Sequence, residues 1–143
     1  MMRAALLALY VIAGLIQAAH AAEQPVQLSS DPTSSAMRAA VDVLRATHRG
    51  ENIRLSTVQA AFVRLVDGGT PQLIVELGGN YCGSLGCSIT LYERGTNGWV
   101  TLNEWLASSI GVATERTGLW HNIILDHERT WIWRGSHYDV AGR

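Results

Sequence analysis

The apolar positions change period along the chain. In "DPTSSAMRAAVDVLRATHRG" Met37, Ala40, Val41 and Leu44 recur at i, i+3, i+4 and i+7, the single stripe of an amphipathic helix. Asp31 can cap such a helix, and Pro32 suits its first position, where a missing N–H costs nothing. Gly50 offers a left-handed stop. Beyond Gly50 the pattern shortens to that of strands. "STVQAAFVRLV" and "QLIVELG" flank the turn "DGGTP", and the second is apolar enough to lie centrally in a sheet. "SITLYER" alternates Ile89 and Leu91 with Thr90 and Tyr92. "GTNG" then turns into "WVTLNEW", with Asn97-Gly98 as the strongest hairpin signal in the chain. "SSIGVATER", "TGLWHNIILD" and "TWIWRGSHYDV" complete the series, with "HER" between the last two. One helix followed by short, regularly spaced strands predicts an α+β fold. Its N-terminal helix would pack on an antiparallel meander of about five to seven strands.

The start of the chain has another character. Arg3 precedes an apolar run from Ala4 to Ile16, and Ala19-His20-Ala21 places small residues at −3 and −1 of a cleavage site before Ala22. That is the pattern of a secretory signal peptide over residues 1–21, and the run is too short for a permanent membrane span. Residues 22–31 read as an exposed leader and 32–143 as a single α+β domain. The expected location is periplasmic or secreted.

Charge narrows the range of partners. The formal net charge is −1, and all eleven basic side chains are arginine. No basic footprint for nucleic acid is present. Without lysine, Schiff-base chemistry and a phosphate-loop lysine are excluded.

Both cysteines lie in "GGNYCGSLGC". In an exported protein Cys82 and Cys87 are expected to pair. Closing so short a loop contributes about 2 kcal/mol in the chain-entropy view. Its larger effect is local, on Gly83, Ser84, Leu85 and Gly86, with Gly79, Gly83 and Gly86 able to supply positive φ. Rival readings are weaker. A thioredoxin-like site has two residues between its cysteines, and here there are four. A zinc site would need ligands from His121, His127 and His137, which show no ligand spacing.

Catalytic patterns are weak as well. Gly83-Ser84-Leu85-Gly86 is not a nucleophile elbow. Ser108 and Ser109 have no base in sequence proximity, and Asp126-His127-Glu128 reads as a polar turn. Glu104 and Glu115 could pair only in particular registers. No motif calls for a cofactor or a metal. All five tryptophans fall between Trp99 and Trp133. Trp131 and Trp133 share a strand face, which is either core or an aromatic shelf for a partner or a sugar.

Several stretches together resemble a family of small exported bacterial proteins. They are Asp67 to Val75, the aromatic-Cys-Gly-x-x-Gly-Cys loop from Tyr81 to Cys87, Gly98-Trp99, and Gly135 to Tyr138. The resemblance implies an exported β-rich domain and covers roughly residues 58–139. A looser similarity is to the Ivy-type periplasmic inhibitors of lysozyme, which present a disulfide-closed loop with four residues between its cysteines. Where those inhibitors carry a histidine, this loop reads Gly-Ser-Leu-Gly.

The sequence thus suggests a non-enzymatic binding module. Tyr81, Gly83, Ser84, Leu85 and Gly86 would form the contact tip, and Trp131 and Trp133 would support it. The expected partner is a protein, such as a wall-cleaving hydrolase, or an envelope glycan. Two rivals stand beside this reading. One is a small redox or hydrolytic enzyme using the Cys82/Cys87 pair. The other is an envelope structural protein with no discrete site.

Overall fold

The computed structural model describes residues 22–142. The proposed signal peptide over residues 1–21 lies outside them. The chain forms β1 (Glu23–Pro25), α1 (Ser35–Thr47), a 3-10 turn (Leu55–Thr57), β2 (Val58–Val63), β3 (Gln72–Gly83), β4 (Gly86–Gly95) and β5 (Gly98–Ala107). β6 (Ile110–Thr117), β7 (Trp120–Leu125), β8 (Arg129–Trp133) and β9 (Tyr138–Val140) follow. No helix among the described residues is long and apolar enough to cross a membrane.

The fold is broadly α+β, and every strand pairing is antiparallel. The nine described strands exceed the expected five to seven. They form two sheets rather than one meander: β2-β3-β4-β5 and β1-β6-β7-β8-β9. β3 explains why. Leu73, Val75 and Leu77 on one face are buried, and so is Ile74 on the other. A strand apolar on both faces needs a cover on each. Leu73, Val75 and Leu77 pack with Met37, Ala40, Val43 and Leu44 of α1, whereas Ile74, Ile89 and Leu91 pack with Ile110, Ile123 and Leu125 of the second sheet. The chain switches sheets at the Ser108-Ser109 corner. There the Asp126 carboxylate accepts from the N–H of Ser108 at 2.7 Å and of Ser109 at 3.1 Å.

The helix starts later than expected. Ser34 is its cap, accepting from the Met37 N–H at 3.1 Å, while Asp31 accepts from the Thr33 N–H at 2.9 Å in the turn before it. Its buried stripe includes Val43 in place of Val41, which is only half-buried. Gly50 has φ +84, just past the helix. The supposed exposed leader is tied down. β1 pairs with β6, Ser29 bridges Ala60 of β2, and Val26 and Leu28 pack against the inter-sheet core. Its unpaired edge groups find partners on both sheets, which a solvated leader would lack.

Candidate functional site

The cysteines sit directly opposite each other, one on β3 and one on β4. They form the Cys82–Cys87 disulfide, with Cα atoms 3.9 Å apart. Above it Gly83 pairs with Gly86, so only Ser84 and Leu85 make the turn. Both are exposed, Leu85 at 67%. The result is a short hairpin with a covalent rung one pair below its tip.

The two glycines flanking the tip have different roles. Gly86 has φ +104, and a Cβ there would meet the Ala107 carbonyl carbon at 2.1 Å. Glycine lets the hairpin lie against the end of β5. Gly83 faces open space and does not take the positive φ expected of it. Gly79, with φ +61, does.

Below the disulfide the register breaks. Leu77 pairs with Ser88 and the next pair is Cys82 with Cys87. Gly78 to Tyr81 therefore loop out of β3 with no opposing residues on β4. Gly78 permits this loop to approach the 3-10 turn, since a Cβ would lie 2.6 Å from the Thr57 carbonyl oxygen. Tyr81 is carried away from the tip. Its hydroxyl donates to the Glu51 carboxylate at 2.7 Å, and its ring packs at the margin of the helix-side core. That hydrogen bond to a carboxylate raises the Tyr81 phenol above its ordinary value. Tyr81 braces the neck of the hairpin and stays partly exposed there.

Trp131 and Trp133 lie on β8 of the other sheet and are half-buried against the inter-sheet core. Trp131 meets Trp105 edge-on with centroids 5.8 Å apart. Trp133 stacks on Trp120 at 3.9 Å and meets Tyr138 edge-on at 5.2 Å. The fold places them in an aromatic cluster between the two sheets, where Trp105 of β5 joins Trp120 and Tyr138 of the second sheet. Within that cluster burial raises the Tyr138 phenol strongly, while its hydroxyl donates to the His121 carbonyl at 2.7 Å.

The other candidates separate. Glu104 is on β5 and Glu115 on β6, in different sheets. His127 contacts Glu23 at 3.0 Å, and both Asp126 and His127 take positive φ in the β7–β8 turn. Glu76 and His127 line a cavity of about 350 Å³ with Ser108 and Ser109, and burial pushes the Glu76 carboxyl upward. Among the described residues no group of three or more His, Cys, Asp or Glu is placed to hold a metal ion.

One cluster has no counterpart in the sequence reading. His121 Nε2 lies 2.8 Å from Asp67, whose other carboxylate oxygen is 2.8 Å from Arg116. His121 Nδ1 faces the Ala113 carbonyl at 2.8 Å. The cluster ties the β2–β3 turn to the β6–β7 hairpin. Asp67 and His121 are 54 residues apart, so no local spacing could announce them.

Comparison with protein-family models, curated proteins and solved structures returned no match.

Proposed function

We propose that this protein is an exported, non-enzymatic binding module that presents the Cys82–Cys87 hairpin to a partner in the bacterial envelope. The observation that carries the reading is the tip itself. A two-residue turn above a covalent rung holds Leu85 at 67% exposure. Rigid presentation of a protruding apolar side chain reduces the entropy lost on binding. The partner is a protein, with a wall-cleaving hydrolase as the first choice, or an envelope glycan. The signal-peptide pattern and the resemblance to small exported β-domain proteins support this location. The spacing shared with the lysozyme inhibitors supports the hydrolase. Because this tip has no histidine, its contact would be made by Leu85 packing and by hydrogen bonds from Ser84 and the loop backbone.

The test uses immobilised wild type and a Ser84→Arg/Leu85→Asp variant, each exposed to envelope extract, isolated peptidoglycan and purified lysozyme-type hydrolases. At least a tenfold loss of one captured partner in the variant is expected. Equal recovery of every partner by both proteins overturns the reading. A redox role would require the disulfide to be reduced by a glutathione buffer, and persistence of the bond in that buffer argues for a structural clasp.

A further inference from the structure

The structure carries a second candidate site, on the outer side of α1. Pro32, Met37 and Val41 on the helix side and Leu55 opposite them line an open groove of about 660 Å³. That volume lies within the range of small-molecule sites. Leu55 is 49% exposed and Val41 only half-buried, so the apolar floor is unfinished. Val41 belongs to the helix's apolar periodicity, yet Val43 takes its place in the core.

The rim is cationic. Arg38 and Arg45 line the groove together with one carboxylate, Asp42. The arginines are seven residues apart, two helical turns or about 10 Å along the axis. Arg38 is held at one end by donating to the Thr33 carbonyl. An adjoining cavity shares Val41, Arg45 and Leu55 and continues to Arg49 and Glu51. This concentration of cations goes against the rest of the molecule. Residues 30–56, the span of the groove lining, hold four arginines against three carboxylates, a net of +1. The remaining described residues hold five arginines against nine carboxylates, a net of −4.

From this combination we infer that the groove binds a single-chain anionic amphiphile, a free fatty acid, for which dodecanoate serves as the probe. Its acyl chain lies over Pro32, Met37, Val41 and Leu55, and its carboxylate meets Arg45. The floor supplies attraction in proportion to apolar area. The rim selects the sign of the headgroup, since a guanidinium pairs well with a carboxylate. An acidic rim would have favoured a cationic lipid, and a polar floor would have pointed to a soluble anion.

The experiment is a calorimetric titration of protein expressed from the full sequence, with dodecanoate kept below its micellar concentration. Saturable one-to-one binding is expected, weakening at least ~2-fold for each CH₂ removed toward octanoate. Arg45→Gln should weaken dodecanoate about 10-fold while leaving dodecanol unchanged, a change typical of one lost charge-assisted contact. Leu55→Asp should abolish binding. This substitution lies outside the helix, so an unchanged circular dichroism spectrum separates a lost site from a lost fold; Val41→Ser provides a second variant. Dodecyltrimethylammonium should not bind. Absence of saturable binding, equal binding of the cationic amphiphile, or indifference to both Leu55→Asp and Val41→Ser would overturn the assignment. Binding to anionic vesicles or to an acidic helical peptide without binding of monomeric dodecanoate would also overturn it.

Discussion

Two hairpins of this protein share a plan and differ in how they are held. The β3–β4 hairpin turns through Ser84-Leu85, and the β6–β7 hairpin turns through Gly118-Leu119. Each has a two-residue tip with an exposed leucine, Leu85 at 67% and Leu119 at 73%. Each also has a register break just below the tip. At the equivalent rung, one hairpin carries the Cys82–Cys87 disulfide and the other the Arg116–His121 pair, anchored on Asp67. A covalent rung confines its strands whatever the pH or ionic strength. The exposed Arg116–Asp67 ion pair holds less firmly and is screened by salt. An exposed leucine alone therefore does not identify a binding tip, since scattered apolar side chains are ordinary on surfaces. What singles out Leu85 is the rigid support beneath it.

The largest expected effect follows directly. If the proposed envelope partner exists, Leu85→Asp should reduce its capture at least tenfold, and Leu119→Asp should change it less than twofold, measured by titration of the purified partner. A reversed ranking would move the site to the β6–β7 hairpin, beside the Trp120–Trp133 stack. Substitution at the glycines sharpens the same contrast. Gly86→Ala should destabilise the fold by more than about 2 kcal/mol, because it adds positive-φ strain to a clash with the backbone of Ala107. Gly83→Ala, pointing into open space, should stay within about 0.5 kcal/mol of wild type. Urea unfolding of the two variants provides the measurement.

Much of this hairpin could be read in the sequence because its determinants are local. Two cysteines, their flanking glycines and two apolar runs specify a short closed loop without reference to the rest of the chain. The Asn97-Gly98 signal was equally local, although Thr96-Asn97 form the turn and Gly98 starts β5 with φ +116. What depends on distant packing was not legible. Tyr81 is adjacent to Cys82 in sequence, but Glu51 draws it to the helix side. Trp131 and Trp133 share a strand face as expected, yet only the division into two sheets decides which core they join. That division follows from the two buried faces of β3, and the corner between the sheets is latched by Asp126 accepting from Ser108 and Ser109, contacts across eighteen and seventeen residues.

Removal of the covalent rung should have an intermediate effect. Cys82→Ser/Cys87→Ser is expected to lower global stability by about 2 kcal/mol or less, in line with a loop this short. Amide exchange should accelerate at residues 82–87 while the β6–β7 tip keeps its wild-type protection. If exchange at the hairpin does not change, Gly86 packing on β5 already provides the rigidity and the disulfide is dispensable for presentation.

The smallest effects lie on the pH axis, where the two regions should respond with opposite sign. The hydrogen bond from His121, with the nearby Arg116 charge, holds Asp67 below its ordinary value of 3.8. A carboxylate depressed in the folded state contributes stability that is present above that ordinary value and disappears as pH falls through the folded one. Beside the β3 register break, burial raises Glu76 above its ordinary 4.5. This group favours the folded state at low pH, and its contribution is lost as pH rises through the raised value. Asp67→Asn should therefore be less stable than wild type near pH 6, with the gap closing in acid. Glu76→Gln should be more stable than wild type near pH 7, with its advantage gone below pH 4.5. Urea midpoints for the three proteins across pH 3 to 8 would test this, since each variant's difference from wild type isolates one carboxylate. If both differences move in the same direction with acid, the two hairpins do not differ electrostatically, and the disulfide remains the one feature that sets them apart.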